Sequence, residues 1–533
     1  MLSKLTLLTL CVTSVLAARV PVTGAEVTNS GTPLRRNVDE LSNSGAPWDL
    51  FILALNAMND ADVQNDTSFF QIAGIHGWPY KEWNDAGSEN STDSAGYCPH
   101  NENIFVAWHR PYMALFEQEL VRQARLIADM YPEPNRQEYR AAAENLRLPF
   151  WDWGFDSHVP NATVPKTVIV QAPGGKTNVS NPLATYKFPN DDRPPRSGNL
   201  SNIQTERCKY GNGYPEEANK LLRQWVNKQN IYDLFSKSKN FGEFASTVTN
   251  GGSLEGIHGT IHRHAACYQH FATIRFSAFD PLFLLHHANV DRLWAYWEAI
   301  HPESAIFNDT YVTTGSRFST PRGTKITPDS PLKPFFQKDG TTFHTTKSVA
   351  SIKTFGYSYE DIDSGEDAVN TLINRLYGQK IGSASHSLRV RGQTPTTRYF
   401  VQIQLEKGQV ELPCQVNLYL RGMPAGSIVA MEQPRDGILH GGFTIDEAIQ
   451  AGGFGSLSVD SIVESVQSSI EVDITKGDGS RIAVSSVSSL KIELEDVVVT
   501  PPASDKELSK FGTPRLRTVD VKERSEGASI GPL

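Results

Sequence analysis

Positive charge is not in excess in this chain. Lys and Arg total 50 against 59 Asp and Glu, a net charge of -9, which argues against a nucleic-acid partner. After the N-terminal run, no stretch approaches the ~20 apolar residues of a membrane span. There is no internal repeat, and no fingerprint of a flavin, haem or nicotinamide site. Cysteine is scarce. Outside Cys11 in the N-terminal run there are Cys98, Cys208, Cys267 and Cys414. An oxidising compartment would permit a disulfide, and Cys208 with Cys267 is the expected pair. Cys98 is better kept for the chemistry described below, which leaves Cys414 unpaired.

Residues 1–18 read as a secretory signal. Lys4 gives the positive start, residues 5–16 the apolar run, and Val15-Leu16-Ala17-Ala18 a small-residue cleavage region. Six Asn-X-Ser/Thr triplets, at Asn65, Asn90, Asn161, Asn178, Asn199 and Asn308, support export and glycosylation.

With 533 residues there is room for two or three domains. Residues 19–45 are polar and form a pro-segment or an N-terminal arm. Arg35-Arg36 is a dibasic pair open to processing. From Trp48 the pattern turns helical, with Leu50, Ile52, Leu53, Leu55 and Met58 in a helix-compatible period. A stronger helix is predicted over 110–130, with Pro111 in its first position and Met113, Phe116, Leu120 and Ile127 near one face. Further helices are predicted over 218–237, 254–264 and 281–301. Residues 148–153 form an aromatic turn, and the Pro/Asn/Asp/Gly-rich stretch 156–213 is surface loop. The mainly helical domain spans 46–360. Residues 361–385 make a linker with one short helix over 367–377. Over 386–500 the pattern alternates with period two, as in Tyr399-Phe400-Val401-Gln402-Ile403-Gln404-Leu405. That predicts antiparallel strands and a C-terminal β-sandwich. Residues 501–533 read as a polar tail.

Six histidines fall in two clusters: His76, His100 and His109, then His258, His262 and His287. Neutral imidazole suits copper, zinc and iron, and three per ion leave room for another ligand. His258 and His262 stand one helical turn apart on one face. A hydrolytic zinc site would need Glu after the first histidine, and Gly259 stands there instead. Asp291, four residues after His287, either orients the histidine from behind or pairs with an arginine elsewhere. Phe105 and Trp108, near His109 at a helix start, would wall a dry pocket.

These residues carry a resemblance. His100-x4-Phe105-Val106-x-Trp108-His109-Arg110-x6-Glu117 resembles the copper A signature of tyrosinases and catechol oxidases, the type 3 copper family. Asp280-Pro281-Leu282-Phe283-x3-His287-x3-Asp291-Arg292-x-Trp294 resembles their copper B signature. The resemblance covers about residues 46–360. Tyr357-x-Tyr359 looks like the tyrosine motif that closes the catalytic domain, and the β-rich remainder looks like the shielding domain of fungal and plant members. The resemblance implies a four-helix bundle around a dicopper site, with His76, His100 and His109 on copper A and His258, His262 and His287 on copper B. His286 is the neighbour that signature spacing passes over. Cys98 matches the cysteine joined by a thioether to a copper A histidine, here His100. Phe283 looks like the aromatic that packs on the copper B imidazoles. Glu255 matches a carboxylate that holds a water near the metals. Its usual partner in monophenol-hydroxylating members is an Asn where this chain has Gly259. A monophenol has a pKa of about 10, so something must take its proton. Arg263 could attract a substrate carboxylate, or could simply serve surface solubility. The implied function is oxidation of o-diphenols to o-quinones by O2 with two copper ions. The alternatives are a tyrosinase that also hydroxylates monophenols, an o-aminophenol oxidase, and a haemocyanin-like oxygen carrier. The partners are O2 and small phenols. The shielding domain implies a latent proenzyme, activated by cleavage in the linker.

Overall fold

The computed structural model describes residues 19–28, 31–87, 95–378 and 394–525. The signal, Asn90, the second part of the linker, the first residues of the alternating stretch and the end of the tail lie outside the described residues. Asn65, Asn161, Asn178, Asn199 and Asn308 are all exposed. Among the described residues no helix is long and apolar enough to cross a membrane.

The helical part is built on α1 (Ala46–Asp60), α2 (Phe69–Gly74), α3 (Phe105–Asp129), α4 (Glu216–Trp225), α5 (Lys228–Lys237), α6 (Leu254–Ala265), α7 (Leu282–Ile300) and α8 (Glu366–Tyr377). α1 lays Leu50, Phe51, Ala54, Leu55 and Met58 against α3, which in turn packs on α7. α7 is buried along almost its whole length, and its hydrophobic residues share one core with α1, α3 and α6.

Four local expectations change. The stretch 156–213 is not all surface loop: Thr167–Ala172 pairs antiparallel with Gly175–Ser180, and Leu183, Tyr186 and Phe188 are buried in the core. α3 starts at Phe105, so Pro111 lies inside the helix and His109 in its second turn. Pro111 leaves only the Ala107 carbonyl without its helical donor. Burial of Phe105, Trp108, Tyr112 and Phe116 on the core carries the helix through. The single helix expected over 218–237 is two, because the Asn227 side chain accepts from the Gln229 N–H and starts a new helix. The linker's first part is not free. α8 buries Val369, Leu372 and Ile373, and the Tyr377 hydroxyl donates to Asp152 at 2.9 Å.

The N-terminal residues form an ordered arm. Val22 N–H bonds Phe336 O at 2.8 Å, and Arg35 N–H bonds Ser358 O at 2.9 Å. Arg35 is not an accessible basic residue. Its side chain is fully buried, donating to Glu117 at 2.7 Å, to Asp291 at 3.0 Å and to the Tyr359 hydroxyl at 3.0 Å. Arg110 reaches the other Asp291 oxygen at 2.6 Å, and the hydroxyls of Tyr357 and Tyr359 donate to Asp291 at 2.7 Å each. Asp291 therefore takes the ion-pair role of the two expected. It ties the arm, α3, α7 and the tyrosine motif together.

The C-terminal part holds two antiparallel sheets around a shared core. Its strands are β1 (Thr396–Glu406), β2 (Cys414–Leu420), β3 (Met423–Ala430), β4 (Ile438–Thr444), β5 (Ile470–Lys476), β6 (Arg481–Ile482), β7 (Lys491–Thr500), β8 (Lys510–Phe511) and β9 (Arg515–Thr518). One sheet runs β4-β1-β7-β8 with β9 also on β7; the other runs β6-β5-β2-β3. β8 and β9 fall in the expected polar tail. They are short, and their side chains are largely exposed, so little alternation marks them. The outer edge of β4 faces the helical part. His440 N–H donates to Thr247 O at 2.8 Å, and Thr444 N–H to Asn230 Oδ1 at 3.0 Å. A Cβ on Gly252 would lie 2.5 Å from Gly442 O, so only glycine permits this approach. Arg398 on β1 adds a bidentate pair to Asp233 on α5, at 2.6 and 2.9 Å.

Candidate metal centre

Six imidazoles meet in a buried pocket between α3, α6 and α7. His109 comes from α3, His258 and His262 from α6 and His287 from α7; His76 follows α2, and His100 sits in the loop before α3. The rings of His76, His100 and His109 form a near-equilateral triangle, with centroids 5.7 to 5.8 Å apart. His258, His262 and His287 form a second group at 4.5 to 5.5 Å. The two groups face each other. His109 stacks on His287 at 4.3 Å, and His100 lies 5.8 Å from His258.

The backbone aims these rings. Nδ1 of His76 bonds Ile274 O at 3.0 Å, Nδ1 of His109 bonds Phe105 O at 2.8 Å, and Nδ1 of His262 bonds Phe271 O at 2.7 Å. Nδ1 of His258 lies 3.3 Å from Glu255 O. A proton fixed on Nδ1 leaves Nε2 as a lone-pair donor. Nε2 of His76, His100, His109 and His258 is buried with no hydrogen-bond partner, and Nε2 of His262 lies 3.3 Å from Nε2 of His287. Two lone pairs facing at that distance repel unless a cation sits between them. Nitrogens roughly 2.0 Å from one tetrahedral ion are about 3.3 Å apart. The donor set thus fits two imidazole-bound metal ions, three nitrogens each.

Burial keeps these rings neutral. It holds His76 and His262 down to about 3 and the other four well below the ordinary 6.5, with neighbouring imidazoles adding to the effect. The folded metal-free protein therefore stays deprotonated where the unfolded chain takes up protons. The stability that these neutral rings contribute is complete above pH 6.5 and is lost as pH falls from there toward 3. Thermal melts of metal-free protein between pH 7 and pH 4 will show a steady fall in Tm, and a flat profile would contradict the burial.

The aromatic wall is in place. Phe283 stacks on His287 at 4.1 Å and meets His76 edge-on at 4.9 Å. Phe105 lies 4.9 Å from His109 and 4.8 Å from His258, and Trp108 lies 4.9 Å from His109. Cys98 is buried with Sγ 3.5 Å from His100 Nδ1, and burial pushes its thiol pKa up. The other cysteines follow expectation: Cys208 and Cys267 are bridged, and Cys414 is free.

Three residues sit differently from their expected places. Glu255 is not open to a water on both oxygens. Oε1 accepts from the Asn101 N–H, and Oε2 from the Thr247 N–H at 3.0 Å and hydroxyl at 2.9 Å and the Ser246 hydroxyl at 3.2 Å. Burial still raises its pKa against those donors. Gly259 faces the C-terminal part: a Cβ there would meet Val429 at 3.7 Å and Met431 Sδ at 3.9 Å. Arg263 is buried, not at the surface. It donates to Lys476 O at 3.1 Å and covers the Tyr268 ring at 4.3 Å. His286 is the residue that sequence reasoning undervalued. It lies in the cluster of His258, His262 and His287, stacked on His258 at 5.0 Å, and both its nitrogens lack partners. The adjacent His-His pair was the available signal.

Residues 66–300 match the family described as the common central domain of tyrosinase. A tyrosinase of Podospora anserina is 33% identical over 405 residues, which is 68% of this chain and 70% of that protein. Polyphenol oxidase 2 of Agaricus bisporus is 30% identical, over 67% of this chain and 68% of that protein. Among solved structures, latent and active mushroom tyrosinase superposes with a TM-score of 0.81 at 22% identity, over 95% of this chain and 100% of that one.

Proposed function

Because this chain belongs to the tyrosinase family of copper polyphenol oxidases, we propose that it oxidises o-diphenols to o-quinones with dioxygen, as a secreted and latent proenzyme. The observation that carries this reading is the pair of facing imidazole triads, with their unpartnered Nε2 atoms turned inward. α1, α3, α6 and α7 are read as the four-helix bundle around the metals, and the two C-terminal sheets as the shielding β-sandwich.

Two copper ions bound here would supply reversible two-electron exchange with dioxygen. The chain does the rest. Nδ1–H bonds to backbone carbonyls lock ring orientation for His76, His109 and His262. Phe283 offers a flat apolar face beside His287 for a phenol ring. Phe105 and Trp108 keep water from the metals. Cys98 is read as bonded through sulfur to His100, which would fix that ring without a backbone partner. Peptide mass spectrometry will find the Cys98–His100 peptide lighter by two hydrogens; an alkylatable Cys98 thiol would contradict this. Arg263 becomes free to hold a substrate carboxylate only once its partner carbonyl at Lys476 has been removed.

Gly259 favours diphenols over monophenols, because no amide stands there to align a water on Glu255. Glu255 itself favours the second reading, a full tyrosinase. Oxygen uptake with tyrosine against catechol discriminates. Gly259→Asn in the trimmed enzyme is expected to raise the monophenol-to-diphenol rate ratio roughly tenfold or more, and an unchanged ratio would remove Gly259 from the argument. Metal analysis with an absorption spectrum after peroxide addition tests the class. Two coppers and an intense near-ultraviolet band are expected; zinc or a single ion would end the reading.

A further inference from the structure

Glu255 is held at both oxygens by residues that the C-terminal part itself holds. Asn101, whose N–H meets Oε1, directly follows His100 and has a φ of 55°. Thr247, whose N–H and hydroxyl meet Oε2, also places its Oγ1 2.9 Å from Asn101 Oδ1. Since Glu255 lies one turn before His258, its carboxylate joins the copper A loop to the copper B helix. β4 grips both anchors from outside. Ile438 O accepts from Asn101 Nδ2 at 3.3 Å, and His440 N–H donates to Thr247 O at 2.8 Å. From the same side comes Lys407, just past β1. Its N–H donates to Gly437 O at 3.0 Å, just before β4, and the residue is 2% exposed with no contact ion pair among the described residues; burial pulls its ammonium down to about 8, against the charge of Glu255.

We propose that Asn101 and Thr247 are positioning residues for Glu255, and that the C-terminal domain silences the site through them and through Lys407, by fixing the carboxylate as well as by covering the pocket. This rests on the latent-proenzyme reading above. The full chain saturates Glu255 with donors and buries the Lys407 side chain within reach of its charge. Cutting between α8 and β1 lets the His440 N–H, the Ile438 carbonyl and Lys407 leave together. Thr247 and Asn101 can then shift, and Glu255 can turn an oxygen toward bound substrate.

The test uses the uncut chain with copper bound, assayed on catechol, with a small competitive inhibitor of the phenol site measured in parallel. Two substitutions act from the C-terminal side alone. Lys407→Met removes the cation and keeps the length. His440→Pro removes one N–H that points away from the sheet, so no ladder bond is lost. Each is expected to raise kcat of the uncut chain about fivefold or more, with inhibitor affinity unchanged, and the gain is expected to vanish when Glu255→Gln is added. Equal kcat for cut and uncut parent chain would defeat the latency reading itself. A latent parent with both variants equally silent would overturn the relay alone. So would gains that persist with Glu255→Gln, or that come with tighter inhibitor binding, since either means simple opening of the pocket.

Discussion

Arg35→Met is expected to destabilise the helical domain by about 3–5 kcal/mol, the cost of breaking a buried ion pair by removing one partner. Arg35 is the fork between Glu117 and Asp291, and its guanidinium lies 3.5 Å from the Tyr357 ring centre. Methionine would fill part of the space but leave the Glu117 carboxylate buried, with only the Leu148 N–H on its Oε2. Asp291 would keep Arg110, so the loss concentrates on Glu117. Urea unfolding followed by tryptophan fluorescence reads this, because Trp108, Trp153, Trp294 and Trp297 are fully buried in that domain. Arg35→Lys should fall between, keeping charge and losing the two-pronged geometry. A loss under about 1 kcal/mol for methionine would mean that the network is ornamental.

His287→Phe is expected to lower copper from two ions to one per chain and to cut catechol turnover by at least about 10³, more than the 10–100-fold typical of changes behind the ligands. Phenylalanine keeps the apolar stack between Phe283 and His109, so the fold should survive and the deficit should be one of metal. The adjacent His286 makes the experiment decisive. It lies in the same cluster with free nitrogens. If copper stays at two, His286 has served as the ligand and the signature spacing misassigned the pair; His286→Phe would then show the loss instead.

What the sequence disclosed followed from periodicity and from chemistry at fixed spacing. The one-turn separation of His258 and His262, the long motif around His109 and the Asp280-to-Trp294 run place five of the six imidazoles, and His76 completes the first triad in space. The alternating strands from Tyr399 onward were equally plain. The rest depended on contacts that no local pattern encodes. Arg35 looks like half of a dibasic site until the fold brings α3 and α7 around it. Arg263 looks like a solvent-facing residue of an amphipathic helix until β5 covers it. Pro111 reads as a helix start by local rules, and only the packing of Phe105 and Trp108 extends the helix back past it. Lys407 and the grip of β4 on Thr247 carry no signal, because both are properties of the interface between the two parts.

The docking of β4 has a price after cleavage. While joined, the strand offers its outer amides to Thr247 and Asn230. Once severed, the liberated fragment would present that row unsatisfied along Ile438, His440, Gly442 and Thr444, a template for pairing with its own kind. Activation would then be hard to reverse, since the discarded piece would be drawn into self-association before it could find the enzyme again.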